Sequence, residues 1–567
     1  DAFCERIRSI DPDVITGWNT IDFDLTVLQK IAARLRHRFE LGRESGAILI
    51  RKAEGYFGSG QATIPGRLVL DGIDLLRGAF VRMEDYSLDA VAREVLGEGK
   101  VVSGDRRDRV AEITHNYRRD LAAFALYART DARLAYQIVG KLAVVPLAFA
   151  RSQLTGMTPD RVAASIASFD FLYLSELEKQ RTVAPTVRSS DSRVHIAQQG
   201  GHVLEPVPGL HCNVWVFDFR SLYPSIIRTF NIDPLSYVAD APPDADVIRT
   251  PGGAFHREPA ILPRMLDDLF PRREAARQAG DEIASHAIKI LMNSFYGVLG
   301  TPACRFCNPA LANAITGSGR EMLLWSKRWF EAAGFTVLYG DTDSLFVHSH
   351  DDDAQRAHEH GRQLATRLNA QLAKYIEDRW RVASRLELKL EKLYAKLFLL
   401  QARHSTRGAS KRYAGLRHGA DSPEFVGMEA VRRDWTALAK QVQRELYQRL
   451  FSDQSVDRYL ADVVAQVRAG GLDEALVYRK GLRKDAGEYT ATTPPHVAAA
   501  RISAQTGRTI SYLMTTAGPE PTDNVRNPID REHYIEKQIR PVAEPVLATL
   551  GLDFEQVIGD RRQLELY

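Results

Sequence analysis

Three features of this sequence predict a multidomain α/β fold. The chain has 567 residues, too many for one hydrophobic core. Two apolar, β-branched runs, VFDFRSLYPSII around Asp218 and VLYGDTDSLFV around Asp341 and Asp343, place carboxylates where a strand breaks into a turn. Between them, residues 262–299 carry apolar positions at helical spacing. Strand and helix patterns therefore alternate along the chain.

Composition narrows the class. Hydrophobic residues make up 45% and charged residues 26%, as in an ordinary globular protein. A net charge of +3 neither demands nor excludes nucleic acid, so only local clustering of charge can decide. Four cysteines in so long a chain point to a reducing compartment. Cys304 and Cys307 form a lone C-x-x-C with no further pair and no nearby histidines, too few ligands for structural zinc. No apolar run approaches the ~20 residues of a membrane-spanning helix. A soluble, cytoplasmic protein is the expectation. The opening DAFCERIRSIDPDVITGWN reads as mid-domain sequence, so an upstream portion is expected.

Taken in order, PDVITGWN is a strand entering a turn and FDLTVLQKIAARL a helix. GRLVLDGIDLL supplies a further strand and YARTDARLAYQIVGKL a long helix. Residues 186–210, rich in Ser, Gly, Gln and Pro, read as a connector. After VWVFDF a helix opens at Ser221–Pro224, where proline fits a first turn. DAPPDADVIRTPGGAF is loop-like. Two antiparallel helices follow over 262–299. FTVLYGDTDSLFVHS is a hairpin, and AQRAHEHGRQLATRLNAQLAKYI a helix. LELKLEKLYAKLFLL and KRYAGL are strands. From Ala430 onward the pattern is mostly helical, including LVYRKGLRK.

The chemistry is carried by carboxylates and one helix. Two strand ends meeting at a sheet edge would let Asp218 and Asp343 share divalent cations. Hard oxygen ligands with open positions for phosphate suit Mg²⁺ and phosphoryl transfer. Spacings of four and three put Lys289, Asn293 and Tyr296 on one helical face, able to meet a triphosphate, a sugar and a base plane.

D-F-R-S-L-Y-P-S, K-x-x-x-N-S-x-Y-G and Y-G-D-T-D-S, in that order, resemble motifs A, B and C of the family B DNA polymerases. SKRYAGL and GMEAVRRDW resemble that family's palm and early thumb. FDFRSLYPSIIRTFNIDP and YGVLGTPACRF resemble its bacterial members. The resemblance runs over essentially the whole chain. It implies a right-hand palm, fingers and thumb with part of an RNase H-like 3′→5′ exonuclease domain. The implied divisions are exonuclease 1–150, connector 151–210, palm 211–240 and 298–420, fingers 241–297 and thumb 421–562. The implied activity is templated addition of deoxynucleotides to a primer 3′-hydroxyl, in repair or replication restart. A nuclease-dominant protein or a non-catalytic DNA-binding scaffold is the alternative.

The resemblance also implies roles. Asp218, Asp343 and the Phe219 carbonyl would hold two Mg²⁺ ions, with Mn²⁺ as a substitute, and Asp341 would steer the primer end. Amides of Arg220, Ser221 and Leu222 would take triphosphate oxygens, and Lys289 would stabilise developing charge. Tyr223 would exclude a 2′-hydroxyl, with Asn293 supporting it and Tyr296 and Gly297 facing the templating pair. The family's basic pair on the fingers helix is matched at Arg272, but Ala276 stands four residues on, with Arg277 beside it. Thr342, Lys411, Arg412 and Tyr413 would contact DNA, although Ser410 stands where relatives carry a second lysine.

GWNTIDFDL resembles the second exonuclease motif, through Asn19, Phe23 and Asp24, and YARTD the third, through Tyr127 and Asp131. No D-x-E pair precedes Asn19 to complete the ligand set, so this chain is not expected to proofread efficiently. Gln563, Leu564, Leu566 and Tyr567 resemble a bacterial sliding-clamp peptide, with the apolar residues as anchors over 563–567. The implied partners are primer–template DNA, deoxynucleoside triphosphates and that clamp, bound by a monomeric, nucleoid-associated bacterial protein with no membrane contact.

Overall fold

Strand and helix patterns sort into two units in the computed structural model: residues 1–199 with 223–317, and 200–222 with 318–567. The structure describes residues 1–51, 60–83, 85–99, 106–186, 200–401, 408–482, 486–489, 493–503 and 509–559, with 106–110 as backbone only.

In the first unit, Val14–Gly17 (β1) runs parallel to Leu68–Asp71 (β2), pairing Gly17 with Asp71. The helices Leu121–Lys141 (α1) and Val144–Thr155 (α2) follow, with a further helix over Ser165–Lys179. Motif A opens the helix Leu222–Phe230 (α3). Ile261–Gln278 (α4) and Glu282–Leu299 (α5) then form the expected helix pair. Asp281 begins α5 by accepting the Ala284 N–H at 2.9 Å. The α5 sequence is apolar on most sides, so Ala287, Ile288, Leu291 and Phe295 are buried, leaving Lys289, Asn293 and Gly297 as an exposed stripe. Ala287 and Ile290 join Leu76, Val91, Leu134 and Ile138 in one core. Asp233, fully buried, ties three segments together. It accepts from the Tyr173 hydroxyl (2.7 Å), the Leu235 amide (2.7 Å) and the Leu262 amide at the start of α4 (2.8 Å).

The second unit is built on an antiparallel sheet of six strands: Gly209–Phe219 (β3), Val337–Asp341 (β4), Ser344–His348 (β5), Leu388–Gln401 (β6), Gly408–Arg417 (β7) and Glu424–Val426 (β8). Their spatial order is β8-β7-β6-β3-β5-β4. Side chains alternate across a strand. Trp215 and Phe217 therefore face the helices Pro309–Ala332 (α6) and Ala354–Trp380 (α7): Phe217 packs on Phe330, and the Trp215 indole donates to the Ala357 carbonyl at 2.7 Å. Asp218 follows Val214 and Val216 onto the opposite face. Beyond the sheet, Ala437–Phe451 (α8) leads a core that includes Leu446, Tyr447, Ile535 and Val542.

Three sequence expectations are corrected. DAPPDADVIRTPGGAF is not all loop: Ile248–Thr250 and Gly253–Phe255 form a small sheet with Tyr237–Val238. Within LVYRKGLRK, Tyr478–Gly481 is not helix but a strand (β9), paired to Thr509–Thr515 (β10), which pairs with Gly518–Pro521 (β11). The supposed connector includes a stretch paired along the β4 edge, where Leu204 and Val207 donate to Gly340 and Leu338, each at 2.8 Å. Tyr478–Gly481 and residues 204–207 pair with segments distant in sequence, and the strands near 250 are only three residues long, so local pattern does not reveal them.

Candidate active site

Sheet register brings the motif carboxylates together in the second unit. Ser344 pairs with Asp218 on one side and with Asp341 on the other, so Asp218, Ser344 and Asp341 form a row across β3, β5 and β4. The turn between β4 and β5 holds Thr342 and Asp343. The Phe219 amide donates to the Asp343 carbonyl at 2.9 Å, fixing Asp343 beside the end of β3. Burial pushes the Asp343 carboxyl up to about 6, and the charges of Asp341 and Glu391 push the same way. Such crowding of acids favours a cation between them, so these donors fit a divalent metal. Among the described residues no three His, Cys, Asp or Glu side chains form a ready-made cage. Two carboxylates plus substrate oxygens is the arrangement Mg²⁺ ordinarily takes.

Around this row, some expected roles change. The Arg220 amide donates to the Glu387 carbonyl at 2.8 Å, so it is spent on the sheet and does not bind phosphate. Ser221, in the left-handed region at φ 50°, and Leu222, opening α3, follow it in the chain. Arg412 is likewise withdrawn from DNA contact. Its guanidinium pairs with Glu429, which is 1% exposed and also accepts from Gln443 at 2.9 Å. The Tyr413 ring packs on Phe346 at 5.3 Å and on Tyr339 at 6.4 Å, so it serves the sheet rather than a nucleic acid. Lys411 remains exposed, with its ammonium 3.2 Å from Asp341 and its amide donated to the Tyr339 hydroxyl at 2.9 Å. Sequence reasoning missed that ion pair because its members lie far apart along the chain, on β7 and at the end of β4.

The first unit holds the basic and aromatic residues. Lys289, Asn293 and Gly297 line a cavity of about 900 Å³ together with Arg273, Arg277 and His286. The His286 imidazole is held below its usual value by burial, with Lys289, Arg151 and Arg273 adding positive charge. Arg272 does not line this cavity; Arg273 and Arg277, four residues apart, do. The missing partner at Ala276 thus has a counterpart one residue out of register. Tyr296 is turned away from the cavity and packs against Tyr223, ring centroids 4.5 Å apart. Tyr296 thereby gives the Tyr223 ring an aromatic support that the sequence reading did not assign to it. Nothing lies within 4 Å of a Cβ built on Gly297, so the protein's own packing does not require glycine there.

In the exonuclease-like segment, Asn19 takes left-handed backbone at φ 60°, and a single wide turn over Thr20–Leu25 carries Phe23 and Asp24. Phe23 is exposed, and the Asp24 carboxyl is pushed up by burial against a weak bond from the Thr20 hydroxyl (3.3 Å). Tyr127 and Asp131 sit one turn apart on α1. Asp71 escapes the sequence motifs. This buried residue ends β2, accepts the Thr20 amide (2.5 Å) and caps the next helix through Ile73 (2.9 Å). An apolar strand ending in Asp was the signal, the same one that marked Asp218. Gln563, Leu564, Leu566 and Tyr567 lie outside the described residues.

Similarity to known proteins agrees with this geometry. The profile of DNA polymerase family B matches residues 163–547, and that of the exonuclease domain of DNA polymerase family B matches residues 1–91. The chain is 40% identical to DNA polymerase II of Escherichia coli (strain K12), across 96% of this chain and 71% of that protein. It is 28% identical to the DNA polymerase of Thermococcus gorgonarius, across 97% and 72% respectively. Among solved structures, the family B DNA polymerase of Pyrobaculum calidifontis superposes with a TM-score of 0.66 at 27% identity, covering 97% of this chain and 72% of that one.

Proposed function

Since this chain belongs to DNA polymerase family B and is a DNA-directed DNA polymerase, we propose that Asp218 and Asp343 are the carboxylates around which nucleotide addition takes place. The family acts on primer–template DNA and deoxynucleoside triphosphates and uses divalent metal ions. The register that aligns Asp218, Ser344 and Asp341, with the Phe219 amide on Asp343, carries the reading.

Each residue then has a physical task. Asp218, Asp343 and the Phe219 carbonyl would hold two Mg²⁺ ions. Bound there, the ions would lower the pKa of the primer 3′-hydroxyl and offset charge on the departing pyrophosphate. Asp341 keeps Lys411 beside the turn, and the Lys411 ammonium takes a primer phosphate. The Ser221 and Leu222 amides donate to triphosphate oxygens at the opening of α3. Lys289, with Arg273 and Arg277 near it, binds phosphate oxygens and stabilises charge as it develops. The Tyr223 ring, braced by Tyr296, blocks a 2′-hydroxyl. Asn19, Asp24, Tyr127 and Asp131 belong to part of a 3′→5′ exonuclease site, and removal of mispaired ends is an activity of the full-length protein. We place the enzyme in DNA repair and replication, working as a cytoplasmic monomer tethered to a sliding clamp through 563–567.

Single-nucleotide extension of a primed template tests this reading. Asp218→Ala and Asp343→Ala are each expected to lower the rate by roughly 10²–10³-fold or more. Tyr223→Ala should admit ribonucleotides, and Tyr296→Ala should do so to a smaller degree. A near-wild-type rate in Asp343→Ala would overturn the assignment.

A further inference from the structure

The turn that carries Asp343 has bonds of its own, from the Asp343 amide (2.6 Å) and the Ser344 hydroxyl (3.3 Å) to the Asp341 carbonyl, and it is also held from outside. Thr342 sits in the left-handed region at φ 60°, a conformation disfavoured for a β-branched residue. Strained positions of this kind persist only where the surroundings hold them. On one side the turn is held by β3, through the Phe219 amide. On the other it is held by residues 201–207, the stretch that reads as a connector.

Those residues lie against the β4 edge as an additional strand. The Thr342 amide donates to the His202 carbonyl, and the Leu204 amide to the Gly340 carbonyl, each at 2.8 Å, with Val203 bridged antiparallel to Asp341. The Val207 amide continues the pairing onto Leu338 at 2.8 Å. Two glycines permit the close approach. A Cβ on Gly201 would meet the Thr342 side chain at 2.6 Å from Oγ1 and 2.8 Å from Cγ2. A Cβ on Gly340 would meet Leu204 Cδ1 at 2.7 Å. Contacts that short require something to move. The Thr342 hydroxyl also donates to Asp341 Oδ1 at 3.0 Å, so a shift of Thr342 is passed to both acidic neighbours.

We propose that residues 201–207 are a positioning strap that clamps the Asp341–Thr342–Asp343 turn in its strained, productive shape, and that Gly201 is the residue whose missing side chain lets the strap close. The inference rests on the assignment of Asp343 as a metal-holding carboxylate. Gly201 touches no reacting atom; it acts through Thr342. Displacements well under 1 Å at a reacting centre reduce turnover without weakening substrate binding elsewhere. Gly201→Ala should therefore lower kcat for nucleotide addition by about tenfold and leave the KM for the deoxynucleotide unchanged.

A double-mutant cycle with Thr342→Gly separates positioning from a general structural effect. Thr342→Gly removes the atoms that the added methyl would strike, so introducing Gly201→Ala in that background should cost little further kcat. Equal losses from Gly201→Ala in both backgrounds, or a wild-type kcat in the single variant Gly201→Ala, would overturn the proposal. If Gly201→Ala does not fold, Leu204→Pro deletes the amide given to Gly340 without adding atoms beside Thr342. It should lower kcat with KM retained, and a wild-type kcat there also overturns the strap. Asp343→Ala, run in parallel, distinguishes the two failures. An inactive Asp343→Ala beside a wild-type rate in Gly201→Ala defeats only the strap, whereas an active Asp343→Ala defeats the site assignment beneath it.

Discussion

Lys411 and Arg412 are neighbours of like charge, yet their surroundings give them unrelated work. The Arg412 guanidinium is held by Glu429, which is nearly inaccessible, and Gln443 completes that carboxylate's bonding. Removing one partner of a buried pair strands the other charge, typically at a cost of about 3 kcal/mol or more. Arg412→Ala should therefore lower the thermal midpoint while the folded fraction keeps its salt dependence for DNA. Lys411 keeps its ammonium in reach of solvent beside Asp341. Lys411→Ala should leave the midpoint nearly unchanged and reduce the slope of log K against log salt by about one. Titrations of a fluorescent primer–template at several salt concentrations, with calorimetric scans of the same variants, check both. An exchange of the two phenotypes would contradict the assignment. Sequence alone assigns both residues to DNA, because a basic pair on a strand carries no mark of which member is turned inward. Asp218 and Asp341 were easier to read, because an apolar run that ends in Asp is visible without a partner; Asp71 ends a similar run but lies in none of the motifs.

Helix α5 shows how far periodicity reaches and where it stops. Its exposed stripe of Lys289, Asn293 and Gly297 follows directly from spacings of four residues. The position of Tyr296, one residue off that stripe and against Tyr223, depends on α3, an earlier helix far along the chain, and was beyond any local pattern. Gly297 gives a test at this level. Glycine weakens a helix by roughly 0.5–1 kcal/mol relative to alanine, and no neighbour here needs its absent side chain. Gly297→Ala should raise the unfolding midpoint slightly and, on the expectation that Gly297 faces the templating pair, still impair extension. A variant both more stable and fully active would show that the stripe does not meet substrate. The start of α4 gives a second test, through Asp233. Burial raises its carboxyl pKa above the ordinary 3.8, against the hydrogen bonds it accepts. The folded state then binds the proton more tightly than the unfolded chain. The group's contribution is fully present below about pH 3.8 and is lost as pH rises through the folded value. Compared with Asp233→Asn, which has no such proton, wild type should lose relative stability as pH rises above about 4 and through the raised folded value. Paired denaturant melts that show the opposite slope would refute this.

Across the whole molecule, a net charge of +3 spread over 567 residues gives little long-range attraction for a polyanion. Capture of DNA then falls to local groups such as Lys411 and the cations lining the cavity in the first unit. The multidomain character, the strand-borne acids and the helix pair were legible because each is written in a contiguous stretch of sequence. The strap over 201–207, the β9–β11 sheet and the buried Arg412–Glu429 pair were not, because each is defined by a partner elsewhere in the chain. With weak intrinsic attraction, the proposed clamp tether would set the length of DNA copied per encounter. A clamp peptide raises the local concentration of primer ends without altering any contact at the carboxylates. Leu564→Ala with Tyr567→Ala should therefore leave the single-turnover rate and the affinity for primer–template unchanged. On a clamp-loaded template the same pair should shorten the extended tracts, by about tenfold if each apolar anchor contributes like an ordinary interface hot spot. Without the clamp, tract lengths of wild type and variant should coincide. A difference in the clamp-free reaction would place those side chains on the polymerase itself, and equal tracts on loaded templates would remove 563–567 from clamp binding altogether.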